Sequence, residues 1–407
     1  MNLETIQLLI GRDLTLRHFG WLSVLAALAL SLLGIYAIDL ASAPPPPAGS
    51  PLPITPSGLV LKQIIFMAVG ITAAAAIVLP HYRFVRFVAW PAMWICLFLL
   101  VFILIPQVPT WLVRPRNGAR AWINLGPVDF QPAEVAKIAF IMVVADYLRY
   151  RRNHRTFVGL IPVGLITLVP VALIMRQPDL GTAILFVPTV FAMLVAAGAR
   201  LKHLSLVVLI AMCAAPAAYP LLKPHQKQRI IGLVHVIQDS KAGADGINFQ
   251  SLTARTLTGA GGLTGNPDPK ARSLVRFNRL PEAHNDMIYS VIVLRFGLLG
   301  GVAVLGLYLL WFAGALLTAA ACRDPFGRLV VIGCATIIAA QMFINVGMNI
   351  GIVPIIGLTL PFVSYGGSSM LTVWLMTGLV VNIATRRPPR LARPSFEFDD
   401  SEETWAD

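Results

Sequence analysis

The chain has 407 residues, of which 57% are hydrophobic and 13% are charged, and its mean hydropathy is +0.75. Soluble domains carry about 25% charged residues, so this composition excludes an ordinary globular protein and indicates a polytopic membrane protein. The formal net charge of +13 would suit nucleic-acid binding, but no module of basic and aromatic residues accompanies it, so no nucleic-acid partner is predicted.

Apolar runs of about twenty residues recur along the chain, and each could cross the ~30 Å hydrocarbon core of a bilayer as a helix. The predicted spans are Phe19–Ile38, Leu59–Leu79, Phe84–Ile105, Pro132–Leu148, Phe157–Met175, Thr182–Ala197, Leu204–Leu222, Met287–Leu317, Leu329–Ile350 and Gly367–Ala384. We therefore predict an all-α polytopic membrane protein with about ten transmembrane helices. Its membrane domain occupies residues 19–385, between a cytoplasmic segment at 1–18 and a cytoplasmic tail at 386–407.

The distribution of Lys and Arg predicts which side of the membrane each loop faces. With both termini inside, sixteen basic residues lie on inner segments and four on short outer loops. This asymmetry follows the positive-inside rule, so the positive charge is interpreted mainly as a topology signal.

The predicted outer loops differ in character. Residues 39–58 form a Pro-rich linker, and residues 223–285 form one large extracytoplasmic loop between the seventh and eighth spans. The large loop contains Gly259, Gly261, Gly262 and Gly265, which permit tight turns. The four cysteines have no metal-ligand spacing, so no metal site is predicted.

Polar residues within or beside the spans are candidate site residues, because they are costly in a membrane. Glu134 and Lys137 are three residues apart on one helix face and predict a local ion pair. Asp179 follows the Arg176–Gln177–Pro178 break and is predicted to cap the next helix, with a role in the site as the alternative. Two further groups are a stripe suited to interhelical hydrogen bonds, Gln341, Asn345 and Asn349, and a Ser/Gly-rich entry to the last span that could line a headgroup site, Ser364 and Ser368.

The large loop ends at the stretch Arg279–Leu280–Pro281–Glu282–Ala283–His284–Asn285–Asp286, directly before an apolar run. A carboxylate at such a border can meet a lipid-borne substrate and still exchange protons with water. Four bases lie on the same loop: Lys270, Arg272, Arg276 and Arg279. One acid beside four bases at a membrane surface suggests chemistry on an anionic, lipid-linked substrate.

Several of these stretches together resemble the SEDS proteins, the RodA and FtsW peptidoglycan polymerases. The resemblance runs from about Arg17 to Ala384 and rests on five segments in order. They are Gly118–Ile123, Phe130–Lys137, Gln177–Thr182, Leu280–Asp286 and Gly357–Ser369.

The resemblance implies a multi-pass protein of the bacterial cytoplasmic membrane that polymerises glycan strands from lipid II at the outer face. It implies a class B penicillin-binding protein as partner, contact with membrane lipid, and a catalytic role for Asp286. The substrate-binding set is predicted to be Lys270, Arg272, Arg276, Arg279, Glu282, His284, Arg120, Gln177, Asp179, Ser364 and Ser368. No cofactor is specified, and a divalent cation stays an open alternative.

The chain departs from the family pattern after the acidic motif, where Leu294 and Arg295 replace two usual Glu residues. We expect Arg295 to lie near the bilayer centre and to pair with Glu134. The departure leaves two alternatives to a polymerase open: a flippase for the same precursor, or a non-catalytic scaffold for the penicillin-binding protein. Features of both the division and the elongation branch are present, so the branch stays open as well.

Overall fold

The fold comes from a computed structural model, and residues 19–42, 57–113, 115, 119–126, 128–151, 153–218, 227 and 249–386 are described. The helices are α1 (Gly20–Ser42), α2 (Gly58–Val78), α3 (Tyr82–Leu104), α4 (Pro132–Leu148), α5 (Ile161–Arg176), α6 (Leu180–Ala196), α7 (Leu201–Ala218), α8 (Phe249–Ala260), α9 (Asp268–Phe277), α10 (Ile288–Ala321), α11 (Pro325–Ile350) and α12 (Gly367–Thr385). Two short strands, β1 (Ile123–Asn124) and β2 (Asp129–Phe130), pair antiparallel before α4.

Each of the ten predicted spans coincides with one of these helices, which confirms the all-α membrane fold. Within the described residues, seven helical segments are long and apolar enough to cross a membrane by length and composition. The remaining three, α4, α6 and α7, have 17, 17 and 18 residues. The count of ten transmembrane helices and the position of the large loop relative to the membrane stay predictions. The predicted end segments 1–18 and 387–407, most of the Pro-rich linker and residues 228–248 lie outside the described residues.

The bundle packs around aromatic side chains that are fully buried. Trp311 and Tyr308 of α10 are both 0% exposed, and the Tyr308 hydroxyl donates to the carbonyl of Pro361 in the segment before α12. Phe140 of α4 and Phe186 of α6 pack with ring centroids 4.8 Å apart. These contacts fix α4 against α6, and α10 against the chain that enters α12, which is where the candidate site is built.

Helix α10 is broken at Gly297, whose backbone is in a left-handed conformation with φ 69° and ψ −169°. The turn between α8 and α9 fills this break: Leu298 N donates to Gly262 O at 2.9 Å, and Asn266 N donates to Leu294 O at 3.2 Å. A Cβ on Gly297 would overlap the carbonyl of Leu263, so this close approach of two backbones requires glycine. The loop is therefore docked into the helix break through main-chain hydrogen bonds.

A polar cluster beside the break fastens α9 to α1. Arg272 Nη2 lies 2.7 Å from Asp39 Oδ2 of α1, and Arg272 Nε lies 2.5 Å from Asp268 Oδ1. The Tyr36 hydroxyl donates to Asp268 Oδ2 at 2.7 Å. Burial by itself would raise the pKa of Asp268, but the hydrogen bonds from Arg272 and Tyr36 and the charges of Arg272 and Arg295 outweigh it, so the pKa is lowered.

The predicted pairing of Arg295 with Glu134 is wrong. Arg295 Nε donates to the Tyr36 hydroxyl at 2.9 Å and lies 4.0 Å from Asp268 Oδ2, and Nη1 donates to Asn266 O at 3.1 Å. Glu134 Oε1 is instead 2.8 Å from Lys137 Nζ on its own helix. The prediction treated α10 as continuous, whereas the break brings polar loop residues to Arg295.

Candidate active site

Asp286 lies in the turn that precedes α10 and is partly exposed. Two buried amides of α11 hold its main chain, because Asn345 Nδ2 and Asn349 Nδ2 each donate to Asp286 O at 2.9 Å. Both asparagines are 0% exposed, so these donors are not shared with water. The backbone that carries the carboxylate is therefore fixed to a long helix.

Asn349 also holds the first turn of α10. Its Oδ1 accepts from Ser290 N at 3.0 Å and from Ser290 Oγ at 2.6 Å. A helix leaves its first N–H groups without internal partners, and Asn349 satisfies one of them. The end of α11 thus fixes both Asp286 and the helix that follows it.

The segment between α11 and α12 forms the other wall of the site. Gly357 has a φ of 75° and lies close to the carboxylate of Asp286. A Cβ added to Gly357 would lie 3.6 Å from Asp286 Oδ2. Ser364 Oγ donates to Asn285 O at 2.6 Å, and Tyr365 N donates to His284 O at 2.9 Å. These bonds join the acidic stretch to the turn that leads into α12, so the two segments form one surface.

Gln63 of α2 supports that surface from within the bundle. Its side chain is 0% exposed, and its Nε2 donates to Ser364 O at 3.1 Å while its Oε1 accepts from Gly366 N at 3.2 Å. Gln63 is not among the residues predicted from the sequence. A lone amide in the apolar run 59–79 was the signal that could have found it.

His284 and Glu282 lie on the more exposed side of the acidic stretch. The His284 ring packs edge-on against Tyr365 with centroids 5.7 Å apart. Burial lowers the pKa of His284, and the charge of Glu282 opposes this shift. Glu282 is exposed, has φ 51°, and accepts from Asn285 Nδ2 at 2.5 Å.

A second polar group joins β2, α6 and α12. Ser368 Oγ accepts from Gln131 N at 3.0 Å, and Gln131 Nε2 donates to Asp179 Oδ2 at 2.9 Å. Asp179 accepts from Thr182 N at 3.0 Å and so caps α6, as the sequence predicted. Its carboxylate is used in these bonds, which gives it a structural role.

The ion pair of Glu134 and Lys137 is connected to the same surface. Lys137 is 0% exposed, and its Nζ lies 3.4 Å from Gln341 Oε1. Gln341 Nε2 in turn donates to Thr359 O at 2.9 Å, close to Gly357 in the chain. A buried charge needs partners, and here the partners extend from α4 through α11 to the wall of the site.

The structure separates the four predicted loop bases into two kinds. Lys270, Arg276 and Arg279 are exposed. Arg272 is 4% exposed and bonded to two carboxylates, which corrects its assignment as a substrate ligand. Its cation is neutralised within the fold and its guanidinium faces α1.

Two other predicted substrate-binding residues also make structural contacts. Gln177 is 1% exposed and donates to Leu100 O at 3.0 Å. Arg120 is half-buried and donates to Val108 O at 3.1 Å. The residues that the structure brings against the acidic stretch are instead the amides of α11, which contact Asp286, and Ser364 and Tyr365, which contact Asn285 and His284.

The fold and this site define a polytopic membrane protein built around a carboxylate at a loop–helix junction. The chain belongs to the FtsW/RodA/SpoVE family of cell cycle proteins, whose family model matches residues 22–388. The resemblance to the SEDS proteins is thereby confirmed.

Individual relatives cover most of the chain. It is 33% identical over 325 residues to stage V sporulation protein E of Bacillus subtilis, covering 79% of this chain and 86% of that protein. It is 31% identical over 329 residues to a Geobacter metallireducens protein named "Probable peptidoglycan glycosyltransferase FtsW", covering 80% of this chain and 84% of that protein.

Solved structures show the same architecture. A chain from a peptidoglycan synthase complex, described for its coordination of polymerization and crosslinking, matches with a TM-score of 0.73 at 29% identity, covering 91% of this chain and 98% of that one. The rod shape determining protein RodA of Thermus thermophilus matches with a TM-score of 0.64 at 28% identity, covering 91% and 97%.

Proposed function

We propose that this chain is a peptidoglycan glycosyltransferase that polymerises lipid II into glycan strands at the outer face of the bacterial cytoplasmic membrane. The observation that carries the proposal is the placement of Asp286, a partly exposed carboxylate whose main chain is held by Asn345 and Asn349. The names of the FtsW relatives and the synthase complex support the same reaction class.

In this proposal Asp286 is the general base. The acceptor sugar hydroxyl gives its proton to the carboxylate, and the oxygen forms a bond to the anomeric carbon of the donor sugar. The bond from that carbon to the pyrophosphate breaks, and the lipid pyrophosphate leaves with the electron pair. A base held by rigid contacts can contribute about 10²–10⁴-fold to such a step.

The departing pyrophosphate needs cations, and the exposed bases of α9 and the turn after it are the candidates. Lys270, Arg276 and Arg279 are exposed on the same loop that ends at Asp286. Charge-assisted contacts to phosphate commonly contribute ~1.5–3 kcal/mol each. Arg272 is excluded from this role by its two carboxylate partners.

A class B penicillin-binding protein is the proposed partner, with both termini of this chain in the cytoplasm. The synthase complex that contains the similar chain couples polymerization to crosslinking, which supports this pairing. The matching proteins include both FtsW and RodA proteins.

The replacement of the family's Glu pair does not favour a non-catalytic scaffold. Arg295 is accommodated by Tyr36, Asn266 and Asp268, at the opposite end of the first segment of α10 from the turn that carries Asp286. The substitution therefore has a local structural compensation, and the contacts that hold Asp286 are intact.

Glycan synthesis from lipid II by the purified protein, alone and with its penicillin-binding partner, tests the proposal. Asp286→Asn keeps the size of the side chain and removes the base, so polymer formation should fall by about 100-fold or more. Asp146→Asn is the matched control, because it neutralises a partly exposed carboxylate near the end of α4, away from the site. Wild-type glycan yield from Asp286→Asn, at equal protein levels, would refute the assignment.

A further inference from the structure

A basic cavity of about 340 Å³ lies at the end of the bundle away from Asp286. It is formed by the end of α4 and the turn after it, the end of α6 and the start of α11. Pockets of roughly 300–1,000 Å³ are of the size that holds small ligands. From the sequence, its basic residues were interpreted only as a topology signal.

The cavity is separate from the candidate active site. Helix α11 begins at the cavity with Pro325 and reaches the Asp286 turn with Asn345 and Asn349. About twenty residues of helix, at ~1.5 Å each, separate the two by about 30 Å. A ligand in the cavity would not touch the residues proposed for glycosyl transfer.

Four arginines line the cavity: Arg149, Arg151, Arg155 and Arg328. Arg149 Nε lies 3.9 Å from Asp146 Oδ1, and that carboxylate is shared with Arg86 at 3.8 Å. The salt bridges of the described residues include none to the other three arginines. Three of the four arginines therefore have no carboxylate partner in the described part of the chain, and one of these, Arg328, donates to Cys322 O at 3.3 Å.

A buried histidine, His154, also lines the cavity. His154 is 2% exposed, and its Nε2 lies 2.9 Å from Ala197 O. A carbonyl can only accept, so Nε2 carries the hydrogen in this contact. The other nitrogen, Nδ1, is then an acceptor that is buried without a hydrogen-bond partner among the described residues, so the partner it calls for is a donor, such as a headgroup hydroxyl, and not a phosphate oxygen.

The positive-inside rule does not by itself account for this arrangement. That rule requires Lys and Arg near the inner surface, and Arg200 and Lys202 satisfy it outside the cavity lining. Here arginines from the turn after α4 and from α11 line one space together with His154. The start of the 26-residue α11 adds the positive end of a helix dipole.

We propose that this cavity binds the phosphate group of an anionic ligand, and that an anionic phospholipid of the adjacent leaflet supplies it. Tyr150 lines the same cavity, is 71% exposed, and provides apolar contact for the lipid beyond its headgroup. Basic pockets between transmembrane helices are known to hold anionic headgroups in membrane proteins. An acidic peptide is the competing occupant, but it would not need an apolar wall.

Lipid binding to the purified full chain tests the proposal. Native mass spectrometry with dioleoylphosphatidylglycerol, compared with dioleoylphosphatidylcholine, measures the preference for an anionic headgroup. The double variant Arg151→Gln/Arg155→Gln should weaken phosphatidylglycerol binding by roughly tenfold or more. Arg200→Gln/Lys202→Gln is the matched control, since it removes the same charge from the same end of the bundle outside the cavity lining, and it should leave binding near the wild-type value. Arg328→Gln, from a different helix, should weaken binding independently.

Competition distinguishes the source of the phosphate. One outcome would show that the lipid source is wrong and that the cavity takes a soluble phosphate ligand. In that outcome the wild type binds inorganic phosphate or ATP but not phosphatidylglycerol, and the cavity variants no longer bind the soluble phosphate. Equal reductions in cavity and control variants, or no reduction in either, would overturn the proposal, because surface potential alone would then explain binding. Binding of a poly-glutamate peptide that the cavity variants abolish, with no binding of any phosphate probe, would also overturn it. Thermal melting of each variant verifies that the fold is intact.

Discussion

Replacement of Asn349 by alanine should lower turnover at the proposed active site by more than the loss of folded protein explains. The change removes the bond from Nδ2 to Asp286 O at 2.9 Å and the two bonds from Ser290 N and Oγ to Oδ1 at 3.0 and 2.6 Å. Asn345 keeps its own bond to Asp286 O, so the turn is loosened and not released.

The magnitude follows from the hydrogen bonds that alanine cannot make. Ser290 is 0% exposed, so its N–H stays buried without its acceptor, at a cost of ~1–3 kcal/mol, and the missing bond to Asp286 O adds ~0.5–1.5 kcal/mol. We expect a local destabilisation of about 2–4 kcal/mol. A misplacement of the carboxylate by ~1 Å can reduce turnover by about 100-fold.

Asn382→Ala provides the matched control. Asn382 is also 0% exposed, and its Nδ2 donates to Ile77 O and Pro80 O at 2.5 and 2.8 Å, at the other end of α12 from Ser368. Both variants should lower the melting temperature of the purified protein. In a lipid II polymerisation assay normalised to folded protein, Asn349→Ala should lower kcat by about 10–100-fold with little change in KM, and Asn382→Ala should leave both near wild type.

Equal turnover per folded molecule in the two variants would refute the reasoning. It would mean that the α11 amides stabilise the bundle without positioning Asp286. A change confined to KM would also contradict it, because the bonds to Asp286 O would then act on substrate affinity and not on the chemical step.

Two further predictions concern the large loop. Arg295→Leu and Asp268→Asn should each lower the free energy of unfolding. In the double variant the two effects should be less than additive, because both side chains bond to the Tyr36 hydroxyl. Fully additive effects in a double-mutant cycle of unfolding would contradict this contact. His284 has a pKa lowered by burial from its ordinary value of 6.5, so its contribution to stability is present above about pH 6.5 and is lost as the pH falls through the folded-state pKa. Melting temperatures between about pH 7 and about pH 5 should therefore fall more steeply for the wild type than for His284→Asn, and parallel curves would count against this linkage.

Much of the fold follows from the sequence because hydrophobic length determines where helices form in a membrane. Each predicted span became a helix, and the i,i+3 spacing of Glu134 and Lys137 correctly predicted an ion pair. Such patterns are local, because they depend on residues that are close together in the chain. Helices and ion pairs of this local kind could be predicted from the sequence.

Contacts between distant segments were not predictable in the same way. The stripe of Gln341, Asn345 and Asn349 correctly indicated hydrogen bonding, but the sequence does not specify which carbonyls the amides meet, and two of them meet Asp286. Arg272 was assigned to substrate because Asp39, its partner in α1, is 233 residues away. The i,i+4 spacing of Asp268 and Arg272 did predict an ion pair within the fold, but the many basic residues of the loop favoured a substrate-binding role instead.

The break at Gly297 connects the docking of the loop to the position of the carboxylate. The first nine residues of α10, Ile288–Phe296, form a short helical segment between the Asp286 turn and the break. At one end Asn349 holds Ser290, and at the other the turn after α8 bonds to Leu294 O and Leu298 N. At ~1.5 Å per residue this segment is about 13 Å long, so a shift at the break is carried to the site as a rigid tilt.

Gly297→Ala tests this coupling. The added Cβ would overlap the carbonyl of Leu263, and a positive φ is itself unfavourable for alanine, so the loop turn must move away from the break. We expect faster hydrogen exchange in residues 261–268 together with a drop in polymerisation of about tenfold or more. Gly306→Ala is the control within the same helix, because an added Cβ there meets open space. Rapid exchange in the loop turn with full polymerisation would show that docking at the break and the geometry at Asp286 are independent, and the rigid-segment argument would fail.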